Sequence, residues 1–238
     1  MMFPLIKYNI SYYIKSAKYL LPVLLFIAFL GVNYQASPIG VWSNLHITTI
    51  AIFIFANWVA VSFVNSEDKN QRHITILHVK NETLYHLSKI LSLVVFLFPF
   101  YALTVLLPTI LGTFSRSIRF SEILIYLVVH FLISFLGIAV GVFFNSNLFS
   151  EEMAMLMHII VATVLVVPFN VIYDNNPFIT FVYYLLPPIN FLADRLHNIG
   201  DGTFYIDLNF IFFVANAVVY VLLLVILYNA VMQRFNKR

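Results

Sequence analysis

Charged residues along the chain gather into short clusters, and long apolar runs separate them. No Asp, Glu, Lys or Arg occurs in 19–66, 90–115, 123–150, 153–173, 175–193 or 208–233. Within the runs apolar residues show neither a one-sided helical stripe nor strand-like alternation, the pattern of helices that meet lipid on all faces. One helix needs about 20 residues to cross an apolar bilayer core of about 30 Å. The first run, 48 residues long, holds two such helices and a turn. The pattern predicts six spans, at about 19–36, 45–65, 89–112, 122–145, 152–173 and 208–232. Segment 177–193 is also apolar, but Pro187-Pro188 interrupts it and it is short for a span. Irregular backbone at membrane depth needs cover from protein or water, so re-entrant helices between the fifth and sixth spans are expected there. Residues 3–17 differ from the runs. Phe3, Ile6, Ile10, Tyr13, Ile14 and Ala17 recur at helical spacing, with Lys7, Ser11, Lys15 and Lys18 on the other side. Such a helix lies in the interface plane with its lysines toward anionic lipid.

Composition fixes the class. Apolar residues make up 62% of the chain and charged residues 10%, against about 45–50% and about 25% in soluble domains. A soluble enzyme or a nucleic-acid-binding protein would lack a polar coat, and a disordered chain would be far less hydrophobic. The fold class is all-α, a polytopic membrane protein in one domain, 1–238. With the N-terminus in the cytoplasm, ten of the 13 Lys and Arg residues fall on the inner side and only Arg116, Arg119 and Arg195 outside. A seventh span at 177–193 would reduce that bias to 8 against 5, so the rule favouring positive inner loops selects six spans with both ends inside. Residues 20–32 imitate a signal-peptide core, with Ala36-Ser37 as a mock cleavage site. The preceding 18 residues look structured and further spans follow, so an uncleaved first span is expected. The chain has no cysteine, which removes disulfides, thiolate metal sites and a cysteine nucleophile.

The longest polar inner stretch is 66–88. It mixes Glu67, Asp68 and Glu82 with Ile74, Ile76, Leu77 and Val79, which a merely solvated loop would not need. Asn81-Glu82 reads as a helix start with a capping side chain. His73, His78 and His86 do not share one helical face and are expected as solvated interface residues, without metal. In the fourth span, Gly137-Ile-Ala-Val-Gly141 has the small-xxx-small spacing that lets helices approach closely. Asn57, His130, Asn170 and Asn216 are single polar points within spans, expected as interhelical hydrogen bonders or as lining of a pathway. Pro168 is expected to kink the fifth span. The outer side carries a net charge of −2, with Asp174, Asp194, Asp201 and Asp207, and the inner side +5. There is no Walker nucleotide-binding loop, no channel filter of the T-V-G-Y-G kind, and no charge in a span core of the sort that proton and sodium transporters use.

The whole layout resembles the permease subunit of type-2 ATP-binding-cassette exporters. The residues that carry the resemblance in the inner loop are Glu67-Asp68, then Thr75 and Leu77, then Lys89 opening the third span. The usual Gly-Thr and Pro of that loop are absent, and His73, Ile74 and Val79-Lys80 stand there instead. The resemblance implies an interfacial N-terminal helix, six spans in the plasma membrane, and cytoplasmic ends. It implies that the loop docks on a separate ATPase through Glu67, Asp68, Ile74 and Leu77, and that ATP and Mg are held by that partner. It also implies pairing with a second permease, by homodimer or paralogue, and contact with lipid but not nucleic acid. This chain would bind no cofactor or metal and would not itself be an enzyme. The compact size is similar to peptide and bacteriocin-immunity permeases, phenol-soluble modulin exporters among them, which implies an amphipathic or hydrophobic cargo. Low Gly and Ala with abundant Ile, Asn, Lys and Phe suits a Gram-positive source. Two other readings stand beside it. One is another transporter or a membrane assembly protein. The other is a metal-dependent intramembrane peptidase built on Glu151-Glu152 and His158, although the Arg of its E-E-x-x-x-R motif is Leu156 here.

Overall fold

A computed structural model describes residues 2–144, 150, 152–154, 156–158, 160 and 208–235. The first helices are α1 (Met2–Ser16) and α2 (Leu20–Gln35), whose axes meet at 83°. The break is local chemistry. Ala17 adopts a left-handed φ of +58°, which costs a residue with a Cβ about 1–2 kcal/mol. Ser16 Oγ caps Tyr13 O at 2.7 Å. Pro22 then lacks the N–H that would have bonded Lys18 O, and that carbonyl accepts Ser62 Oγ from another helix at 3.1 Å instead.

Next come α3 (Val41–Val64), α4 (Lys69–Val79), α5 (Glu82–Leu111), α6 (Phe120–Phe143) and α7 (Leu208–Phe235). The described residues form helices and one isolated bridge between Ile39 and Phe114, and no strand. Thr113 O accepts Ile39 N–H at 2.9 Å and Ile39 O accepts Ser115 N–H at 2.9 Å, so the α2–α3 and α5–α6 connections are laced together. Arg116 adds a bidentate pair with Glu122 at 2.6 and 2.9 Å, and Glu122 also accepts Arg119 N–H at the start of α6.

Four described helices are long and apolar enough to cross a membrane: α3, α5, α6 and Phe210–Met232 of α7. The first expected span is shorter than the charge pattern implied. α2 has 16 residues, about 24 Å at about 1.5 Å per residue, and has the length of a span only when counted together with α1, from which it bends by 83°. The third expected span, 89–112, starts a full two turns earlier. Asn81 Oδ1 accepts Leu84 N–H at 2.9 Å, so helix begins at Glu82. It ends where Gly112 takes φ +65° and Thr113 N–H returns to Pro108 O. The expected fifth span and the re-entrant segment 177–193, with Pro168, lie outside the described residues apart from helical turns at 152–154, 156–158 and 160.

α3 is the centre of the bundle. Its Trp42, Leu45, Phe53, Ala56, Val59 and Ala60 are buried against α6 on one side and against α2 and α5 on the other. α1 lies across the α4 end of this bundle and docks by polar contacts: Asn9 donates to Ser88 Oγ at 3.1 Å and to Ser92 Oγ at 3.4 Å, and Tyr13 Oη pairs with Ser62 Oγ at 3.0 Å.

Candidate functional site

The stretch 66–88 folds into an ordered unit. α4 turns its Arg72 and Val79 inward and its Ile74 and Leu77 outward, where they remain 61% and 75% exposed. Lys80 closes the helix with a left-handed φ of +57°, and Asn81 opens α5. Asp68, His73 and His78 are exposed beside the outward face. A groove of about 420 Å³ runs between α4 and α1, lined by Leu5, Tyr8, Ile74 and Val79 among others. Ile74 and Leu77 thus leave two large apolar side chains exposed on α4.

Glu67 departs from the expected docking set. Its carboxylate is turned into the bundle and lies 2.5 Å from Lys89 Nζ, with both side chains about 95% buried (5% and 6% exposed). Tyr85 Oη donates to the same carboxylate, and Thr75 Oγ1 reaches it at 3.5 Å. Lys89 Nζ also stands 4.9 Å from the centroid of the Tyr85 ring. His86, expected to be solvated, is buried, because the early start of α5 places it inside the helix. Its ring meets Tyr228 of α7 edge-on, with Tyr228 Oη 3.4 Å from Nδ1. Arg72 is only 8% exposed and lies within electrostatic range of Tyr85, His86, Lys89 and Tyr228. The end of α3, α4, α5 and α7 therefore meet on one buried ionisable cluster. Of its members the sequence singles out Glu67, His86 and Lys89, and gives none of them a partner within the chain. On the nearby α1, outside the spans, burial pushes the Tyr13 phenol up to about 12, so it remains a neutral partner for Ser62.

The other expected residues occupy two places along the bundle. Gly137 and Gly141 face α3 at backbone contact: a Cβ at Gly137 would sit 2.7 Å from Phe53 O, and one at Gly141 2.6 Å from Asn57 O. Asn57 is buried on this seam, and its Oδ1 has no hydrogen-bond partner among the described residues. Nearer the other end, His130 bridges three helices. Its Nε2 is 3.1 Å from Thr48 Oγ1 on α3 and its Nδ1 is 3.0 Å from Thr104 Oγ1 on α5. A second proline feeds the same network. Pro108 leaves Thr104 O without its helical donor, and Tyr34 Oη donates to that oxygen at 2.9 Å, with Asn44 Nδ2 at 3.5 Å. Asn33 Nδ2 donates to Asn44 Oδ1 at 2.8 Å. Asn216 is exposed on α7 and so does not line the described core, and Asn170 lies outside the described residues. Of the pairing expected for a peptidase, Glu151 lies outside the described residues, Glu152 is exposed, and His158 Nδ1 is 2.5 Å from the carbonyl of Ala154.

No family model, curated protein or solved structure gives a significant match to this chain.

Proposed function

We propose that the chain is the permease subunit of an ATP-driven exporter and that α4 is the element on which a separate ATPase acts. In this reading six spans cross the plasma membrane with both ends in the cytoplasm, α1 lies in the inner interface, and 177–193 re-enters from outside. Two copies, or this chain and a paralogue, enclose the pathway. The observation that carries the reading is α4 itself, a short polar helix between two long apolar ones, presenting Ile74 and Leu77 outward while tied inward through Arg72 and Val79. The sequence has no nucleotide-binding loop of its own, so work must come from a partner, and a partner needs a stiff handle. The apolar, Phe-rich spans suit an amphipathic peptide or hydrophobic cargo.

The test is co-purification with the ATP-binding-cassette ATPase encoded nearest the gene. The expected result is a stable complex that hydrolyses ATP. Changing Ile74 and Leu77 together to Asp should weaken that complex about tenfold or more, equivalent to about 1.4 kcal/mol. Thermal stability of the permease alone should hold within about 0.5 kcal/mol, as for exposed sites. A chain that purifies without any ATPase, or a complex indifferent to both substitutions, would refute the proposal.

A further inference from the structure

Several buried polar atoms have no hydrogen-bond partner among the described residues. In the middle they include hydroxyl and carbonyl oxygens, Thr49 Oγ1, Asn57 Oδ1 and Tyr101 Oη. Where α4, α5 and α7 meet they include Arg72 Nε and His86 Nε2, together with Asn229 Oδ1 next to Tyr228. The histidine's proton can be placed. Tyr228 Oη has no other acceptor among the described residues, so it donates to His86 Nδ1. A neutral imidazole that accepts at Nδ1 carries its hydrogen on Nε2. Arg72 Nε and His86 Nε2 are therefore both donors, and each calls for an acceptor.

The charges say the same. Among the described residues Glu67 is the one carboxylate in the cluster, and it is occupied by Lys89 and Tyr85. Arg72 makes no side-chain hydrogen bond or ion pair to any described residue, although it is 92% buried by the 8% exposure given above. A buried cation without a counter-charge is unstable unless an anion joins it. The guanidinium fork is matched to two oxygens of one tetrahedral or planar oxyanion. The place is also suitable: α4 connects the end of α3 at Val64 to the start of α5 at Glu82, at the level where spans end and phospholipid head groups begin. Basic pockets between helices at that depth take anionic head groups.

We propose that Arg72, with His86 beside it, binds a phosphate-bearing anion at the α4 end of the bundle. The site does not depend on the chain being a permease. Its ligand is either the phosphate of an anionic phospholipid or free inorganic phosphate. The anion neutralises Arg72 and clamps α4 to α5 and α7, so its occupancy sets how firmly α4 is held.

The test uses the full chain, delipidated in a non-ionic detergent, with unfolding followed by intrinsic fluorescence. Phosphatidylglycerol and inorganic phosphate are added separately at matched ionic strength. At about ten times the dissociation constant, the effective ligand should raise the unfolding midpoint by about 3–6 °C. A response to phosphatidylglycerol alone identifies the lipid, and a response to inorganic phosphate identifies the free anion; either supports the site. Arg72→Gln should abolish the response, whereas Lys80→Gln, which removes an exposed cation at the C-terminal end of the same helix, should keep it. Should Arg72→Gln fail to fold, Arg72→Lys retains the charge without the fork and should show a reduced shift. Native mass spectrometry of the wild-type chain in mild detergent is the arm independent of any variant, with one retained phosphate-bearing mass per chain expected. No shift with either ligand, an undiminished shift in the Arg72 variants, or a chain that retains no such mass would overturn the proposal.

Discussion

The ion pair between Glu67 and Lys89 is the sharpest place to test the structure. At 2.5 Å and an effective dielectric of about 20, its gross attraction is about 6–7 kcal/mol, most of which offsets the cost of removing both charges from water. The net value of the pair is therefore small, and the cost of breaking it is large. Glu67→Gln leaves a buried ammonium beside the Tyr85 ring with no carboxylate, and should destabilise by about 3–5 kcal/mol. Lys89→Met leaves the carboxylate with Tyr85 as its close donor among the described residues, because the Thr75 hydroxyl donates to Gln71 O at 2.8 Å, and should cost a similar amount. The double variant Glu67→Gln/Lys89→Met replaces two charges by neutral groups of like size. It should recover most of the loss, so the double-mutant cycle should give a coupling of about 2 kcal/mol or more. The measurement is the thermal midpoint of the purified protein in detergent, where each single change should lower it by about 6–20 °C. Additive effects, or single variants within about 0.5 kcal/mol of wild type, would show that the two side chains do not meet in a buried site.

Two further outcomes follow from contacts elsewhere. Gly141→Ala drives a methyl into Asn57 O, 2.6 Å away, and should cost about 1–3 kcal/mol in the same thermal assay; a neutral effect would mean that α3 and α6 stand further apart. Asn81→Ala removes the cap on Leu84 N–H and should cost about 1 kcal/mol, with faster amide exchange confined to the first turn of α5; unchanged protection there would place the helix start elsewhere.

The helices were legible where charge alone marks a boundary. The run without charge after Glu122 matches α6, and the small residues at Gly137 and Gly141 announce a close helical contact whose partner, α3, only the fold reveals. Boundaries set by hydrogen bonds were less visible. Lys89 looked like the edge of a span because it is charged, yet Asn81 nucleates helix two turns earlier and the membrane-facing run simply continues it. The pairing of Glu67 with Lys89 crosses 22 positions and the pairing of His86 with Tyr228 crosses 142, so no local spacing could announce either. The docking surface on α4 divides along the same line: Ile74 and Leu77 stand out as apolar residues among polar ones, whereas the direction in which Glu67 points depends on a helix that lies beyond it in the chain.

The way α1 is fastened carries a consequence for biosynthesis. Asn9 finds its partner Ser88 79 residues later in the chain, about 4–16 s of synthesis at about 5–20 residues per second. Through that interval the amide must be satisfied by other polar groups such as water, as must the Tyr13 phenol until Ser62 follows 49 residues on. A helix held at the membrane surface can wait in that way, whereas one already threaded into the apolar core could not. With α1 at the membrane surface, as proposed above, the sharp bend at Ala17 would keep this helix outside the hydrocarbon until α5 arrives to receive it, and locking α1 down would be one of the later events in assembly of the bundle.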